Sequence, residues 1–324
     1  MSDRTALGDR MKQYEAVFKT SLPPRSLSVI RVDIRAAHSL LRGATKPFDY
    51  AFMTAMDNTA VALCAEVQNA VFGYVQSDEI SVLVADFTGA NTQPWFGGEV
   101  QKQVSIAAAT ATAAFNSEWL HEISGRKPAT FDARVFTLPN AVEVANYFIW
   151  RQRDAVRNSI AMAAQAKFSH KQLHQVNTGR MQEMLFAEHG INWDEYPDGA
   201  KRGRVVVRAS GEREVTFTHK RTGDTETVKA MRSWWEARPA PHFTAEPGGW
   251  LAESIPAMPN LSPLPDDEGA EVWATLDAAV ANGTVGYTVA PPSNLGAEFE
   301  AHAEESLELV NATGDTVLEA RPKA

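Results

Sequence analysis

The chain has 324 residues, 44% of them apolar and 22% charged, with a formal net charge of −9 at neutral pH. That composition excludes a collagen-like or low-complexity chain and leaves a globular protein long enough for a substantial core, and no apolar run approaches the roughly 20 residues needed to cross a bilayer. The single cysteine, Cys64, excludes an intrachain disulfide and a cysteine-based zinc centre, and the polar start MSDRTALGDRMKQYE lacks the apolar centre of an export signal, so a cytoplasmic chain with no membrane partner is expected.

Leu7, Met11, Tyr14, Val17 and Phe18 recur at helical spacing and predict a first helix that Pro23 and Pro24 end. SLSVIRVDIR predicts a strand, and the apolar body MTAMDNTAVALCAEV a long helix over about Phe48–Val71, with Cys64 as a small core residue. Val71–Tyr74 and Ile80–Phe87 read as two strands joined at Gln76-Ser77-Asp78-Glu79. An alanine-rich helix starts at Glu99, TFDARVFTLPN is a further strand, and AVEVANYFIWRQRDAVRNSIAMAAQAKF is a long helix with arginines in its middle. KRGRVVVRASG and REVTFTHKR then suggest the two arms of a hairpin. Strand–helix–strand–strand–helix–strand is the order of a split βαβ plan, an α+β antiparallel sheet with helices on one face.

Beyond His242 the chain turns rich in proline and glycine, and from Glu246 onward it holds 14 acidic residues against 2 basic ones, leaving 29 basic against 26 acidic residues before it. Three regions follow: a catalytic domain over 1–140, a helical and hairpin region over 141–245 that completes it, and an acidic, partly disordered extension over 246–324. The mildly basic first 245 residues permit a nucleic-acid partner.

Asp33 ends the first strand and Asp78-Glu79 sits at a hairpin; in a split βαβ sheet these strands are neighbours. Two carboxylates brought together raise each other's pKa unless a cation lies between them, and Mg²⁺ takes carboxylate oxygens together with substrate phosphates. The bland alternative is a solvated turn, and the same pattern suits polymerase palms and nucleotide cyclases alike. By residue type alone, His38 suits a helix cap as well as a nucleotide contact, and Arg151, Arg153 and Arg157 suit a solvated face as well as a phosphate-binding stripe. Trp234-Trp235 reads as core or interface.

RVDIRAAH, KPFD, YVQSDEIS, PWFGGEVQK, FDARVF and YFIWRQRDAVRNS occur in this order. With the opening LGDRMKQYE they resemble the tRNA(His) guanylyltransferase family, particularly its branch of guanylyltransferase-like 3′–5′ RNA polymerases, over about residues 5–210. The resemblance implies a polymerase-palm-like fold. It also implies an enzyme that activates an RNA 5′ end with ATP or GTP and then adds guanylate or template-directed nucleotides there. Asp33 and Asp78, with the carbonyl of Ile34, match the metal ligands, for which two Mg²⁺ ions are expected, and Glu79 matches an acidic residue needed for activity. Asp33, Ile34, Arg35, Ala36, Ala37, His38, Lys46, Asp49, Ser77, Asp78 and Lys102 match nucleotide-binding positions. Arg151, Arg153, Arg157 and Asn158 are candidate RNA contacts. Val156 stands where eukaryotic-type members carry a histidine of tRNA recognition, which implies relaxed selectivity among tRNAs. tRNA or another 5′-phosphorylated RNA is the expected partner, and a homotetramer the expected assembly. The alternatives are a palm-type cyclase or primer-making polymerase, and a non-catalytic RNA-binding relative.

Overall fold

The computed structural model describes residues 5–89, 91–122, 127–218, 221, 223, 225–244, 249–257, 307–310 and 316–320. A first compact unit spans Met1–Pro259 and a second spans Asn260–Ala324.

In the first unit, helix α1 (Ala6–Ala16) begins at Thr5, whose side chain accepts from the Gly8 amide, and has no buried residue. Then follow β1 (Leu27–Ile34), the short α2 (Ala37–Leu40), α3 (Tyr50–Glu66), β2 (Ala70–Gln76) and β3 (Glu79–Ala85). A 3₁₀ turn at Trp95–Gly98 leads into α4 (Val100–Glu122), β4 (Phe131–Leu138), α5 (Ala141–Gln165), α6 (His170–Leu173) and α7 (Thr178–His189). After α8 (Asp198–Arg202) come the long strands β5 (Arg204–Thr218) and β6 (Thr225–Pro239), and then α9 (Trp250–Ser254). The six strands form one sheet in the order β4-β1-β3-β2-β5-β6, and every neighbouring pair is antiparallel. The units β1-α3-β2 and β3-α4-β4 interleave, as the order of elements in the sequence predicted.

Helices cover both faces, not one. Ile30, Val32, Ile34, Ile80, Val82 and Val84 pack against α3 and α4, where Ala107, Ala111, Phe115 and Trp119 form a stripe every fourth residue. Leu27, Val29, Leu83 and Ala85 point the opposite way, against Val144, Tyr147 and Phe148 of α5. This is why β3 is buried along its whole length: a strand covered on both faces needs apolar residues at every position.

The predicted hairpin is also redrawn. The two expected arms are one strand, β5, and its partner is β6, paired from Arg204↔Pro239 to Thr218↔Thr225. Gly211, read as a break, stays in the ladder; a Cβ there would stand 3.2 Å from the Trp234 ring. After residue 245, Leu251 and Ile255 bury themselves beside Phe72 and Phe243, so the core of the first unit draws on residues past the expected boundary. The expected disorder of the acidic extension falls largely outside the described residues. Within the second unit, β7 (Leu307–Val310) pairs antiparallel with β8 (Thr316–Ala320). Among the described residues no helix is long and apolar enough to cross a membrane.

Candidate active site

Strand register brings the acidic residues together. Asp33 lies opposite Glu79 on β3 and opposite Asp132 on β4. Ser77 and Asp78 form the two-residue turn between Gln76 and Glu79. Such turns favour residues that tolerate positive φ, and Ser77 adopts φ 49°. The Ile34 amide donates to the Asp78 carbonyl at 3.1 Å, tying this turn to the end of β1. Just beyond, Ala36 is also left-handed at φ 55°. Both aspartates thus sit next to strained backbone, a feature that clusters at functional sites. The half-buried Asp33 carboxyl is pushed up to about 6, first by burial and then by Asp78, Glu79 and Asp132, with Arg31 opposing.

Glu79 behaves differently from its neighbours. It is 4% exposed. Arg151 donates to both its oxygens, at 2.8 and 3.0 Å, and Arg31 stands 3.5 Å away. Arg151 also holds Asp154 at 2.9 Å. The expected place of Arg151 among RNA contacts is therefore corrected. It is 7% exposed and lies on the buried stripe of α5, three and four residues after Phe148 and Tyr147. A buried guanidinium committed to the buried Glu79 and the half-buried Asp154 does not present itself to a phosphate. Among the described residues no three His, Cys, Asp or Glu gather as a metal cluster. With Glu79 taken by Arg151 and the exposed Asp132 leaning on Arg134 at 3.5 Å, Asp33 and Asp78 are the remaining carboxylates of this cluster for a cation. Two oxygen donors whose charges oppose each other suit Mg²⁺, which keeps several ligand positions for water and phosphate.

Beside this turn opens a cavity of about 350 Å³ whose wall includes His38, Lys46, Asp49, Ser77 and Asn158. It lies within the usual size range of small-molecule sites. Asp49 lines the cavity, and its oxygens accept from the Phe52 amide at 2.9 Å and the Thr45 amide at 3.0 Å, capping α3 and folding the loop before it. Arg204 is buried in the same wall and donates to Asp57 at 2.7 Å. Burial pushes the Asp57 carboxyl up while Arg204 pulls it down. Gly203, at φ +84°, lets β5 enter here; a Cβ on it would stand 2.5 Å from the Val75 carbonyl oxygen.

Other candidates are placed apart. Arg35 and Ala36 are exposed in the loop after β1. Ala37 packs against the core beneath α3 and α4. Lys102 is on the first turn of α4, its ammonium 5.6 Å from the Phe96 ring centre. The part of α4 that reaches the aspartate end of the sheet is Thr112, which accepts from the Phe131 amide. Ten residues of helix, about 15 Å, separate the two, so Lys102 does not join the aspartates. Arg153 and Arg157 are exposed, and Arg157 pairs with Asp154. Gln76 and Arg204 of the cavity wall escaped sequence analysis. Their signal is a polar residue at the end of a buried strand: Gln76 closes β2, and Arg204 opens β5.

Comparisons with known proteins place the chain among known relatives. The family model described as tRNAHis guanylyltransferase (Thg1) matches residues 8–139. The solved structure of a bacterial tRNA(His) guanylyltransferase (Thg1)-like protein in complex with ATP is 36% identical. It covers 77% of this chain and 99% of that one, with a TM-score of 0.67. A structure of such a protein with GTP is 34% identical, covering 74% and 94%, with a TM-score of 0.58. The tRNA(His) guanylyltransferase of Debaryomyces hansenii is 26% identical over 215 residues, covering 61% of this chain and 78% of its own. Fold, site and relatives define a nucleotidyltransferase enzyme. The chain belongs to the tRNA(His) guanylyltransferase family.

Proposed function

We propose that the protein is a Mg²⁺-dependent nucleotidyltransferase. It activates the 5′ end of a tRNA with ATP or GTP and then adds guanylate or template-directed nucleotides there, in the 3′–5′ direction. The observation that carries this reading is the shared turn: the Asp78 carbonyl accepts from the Ile34 amide beside Asp33, and the Asp78 charge helps push the Asp33 carboxyl up, while Ser77 of the same turn lines the cavity. A nucleotide whose nucleoside part fills the cavity thereby has its phosphates beside both carboxylates.

Asp33, Asp78 and the Ile34 carbonyl are the groups that would hold Mg²⁺. When bound, the metal supplies charge neutralisation on the phosphates and a lowered pKa for the attacking hydroxyl. The chain's own residues do the rest. Lys46 and His38, both exposed on the cavity wall, are placed to meet phosphate oxygens. Phe48 and Phe52 give the cavity an apolar side for a nucleoside. The Glu79–Arg151 pair holds the turn beneath Asp78, which matters because phosphoryl transfer depends on alignment and charge more than on covalent chemistry. Arg153 and Arg157 can hold RNA phosphates without reading sequence. Val156 offers no hydrogen bond to a base, so selectivity among tRNAs is relaxed.

The test is incubation with labelled GTP and 5′-phosphorylated tRNA in Mg²⁺. An RNA lengthened and labelled at its 5′ end supports the reading. Cyclic GMP, or no transfer at all from a protein that binds the RNA, would replace it with the cyclase or the RNA-binding alternative.

A further inference from the structure

The wall of the nucleotide cavity contains one polar side chain whose hydrogen bonding is incomplete. Gln76 is the last residue of β2 and is 3% exposed. It lines the cavity together with its neighbour Ser77. Its Oε1 is shielded from solvent and has no hydrogen-bond partner among the described residues. Buried side-chain polar atoms are nearly always paired, because an unmet acceptor costs about as much as a lost hydrogen bond. The buried polar groups beside it have partners, Glu79 in Arg151, Arg204 in Asp57, and Ser159 as a donor to the Lys201 carbonyl; Arg31 Nε and Arg202 Nε also lack a hydrogen bond, but neither residue lines the cavity. Gln76 stands out among them.

We propose that Gln76 is a specificity-determining residue whose side-chain amide completes its hydrogen bonding on the base edge of a bound purine nucleotide. The inference rests on the cavity being the nucleotide site. An amide offers a donor and an acceptor side by side. Purine edges present the matching pair: an amino donor next to a ring-nitrogen acceptor in adenine, and a carbonyl acceptor next to an N–H donor in guanine. Rotation of the amide exchanges its oxygen and nitrogen, so one residue serves either purine. A site that uses a buried amide in this way rejects ligands that lack the matching edge, because they leave the amide unpaired.

The experiment is equilibrium binding of GTP, ATP, 1-methyl-GTP, N6,N6-dimethyl-ATP and 2′-deoxy-GTP to the full chain in Mg²⁺. Wild type is compared with Gln76→Leu and with the more nearly isosteric Gln76→Met, each first checked for wild-type circular dichroism. Wild type should show a penalty for both edge-blocked purines relative to GTP and ATP. Either variant should weaken GTP and ATP binding roughly tenfold. It should also flatten the base preferences, while leaving the ratio of GTP to 2′-deoxy-GTP as in wild type. Unchanged base preferences in both folded variants would overturn the assignment, as would a loss confined to the ribose comparison. A wild-type chain that binds no nucleotide would instead overturn the underlying reading of the cavity, and the assignment with it.

Discussion

Arg151 of α5 bonds both carboxylate oxygens of Glu79 on β3, one residue from Asp78. Removing Arg151 leaves the buried Glu79 carboxylate with Arg31 at 3.5 Å as its remaining cation, and breaking a buried pair typically costs about 3–5 kcal/mol. Arg151→Met should lose stability on that scale in urea unfolding. The double variant Arg151→Met with Glu79→Leu should recover most of it, because neither charge remains. A single variant within about 1 kcal/mol of wild type would show that the pair is not what holds α5 to β3.

The Asp33 carboxyl predicts a pH dependence of stability in metal-free protein. Its folded value of about 6 lies above the ordinary 3.8. The folded state therefore binds the proton more tightly than the unfolded state. The stability this gives is fully present below 3.8 and is lost as pH rises through about 6. Melting temperatures measured in chelator between pH 4 and pH 7.5 should show Asp33→Asn with a flatter decline than wild type and a higher value at the upper end. Added Mg²⁺ should raise the wild-type melting temperature more at pH 7.5 than at pH 5. Parallel curves for the two proteins would remove the carboxylate cluster as the cause.

Gly203 is the hinge by which β5 enters the sheet under the cavity. A Cβ there would meet the Val75 carbonyl oxygen at 2.5 Å and the Tyr74 hydroxyl at 2.7 Å, at a φ of +84°. Gly203→Ala should destabilise by about 1–3 kcal/mol or more. It should also weaken nucleotide binding by displacing Arg204. A neutral result in denaturant titration would mean the backbone relaxes there at no cost.

How far the sequence could be read depended on what each residue had to contact. The alternation around Asp33 is a local two-residue period and stands in the structure as expected, whereas the polar junction Gln76–Glu79 narrows to the turn Ser77-Asp78, with Gln76 and Glu79 paired inside the strands. Arg151 was missed because its burial depends on a tertiary fact, the placement of α5 on the second face of the sheet. Its spacing after Tyr147 and Phe148 was the available clue. Gly211 looked like a break because composition does not reveal that Trp234 needs its space. Lys102 was expected beside the nucleotide from resemblance alone, and the length of α4 carries it away from Asp33. The stripe Leu7, Met11 and Tyr14 was legible as a helix, but nothing in its spacing said that it would stand exposed.

The boundary of the first unit makes a further prediction. Leu251 and Ile255 are buried beside Phe72 and Phe243. Burial of side chains of this kind contributes about 1.5–3 kcal/mol each. A chain ending at residue 259 should keep the melting temperature of the first unit, and one ending at 245 should lose several degrees. Equal melting temperatures for the two truncations would show that α9 adds nothing to the core.

The central claim is that Asp33 and Asp78 act together on a nucleotide's phosphates. It is tested most directly by 5′ addition to tRNA by Asp78→Ala in Mg²⁺, with folding verified by circular dichroism. Loss of one charge contact to the transition state typically lowers the rate by about 10²–10³, and loss of a metal ligand by at least as much. The account predicts a folded variant with addition reduced by that factor or abolished. Turnover near that of the wild type, with Mg²⁺ as the only divalent ion, would contradict it.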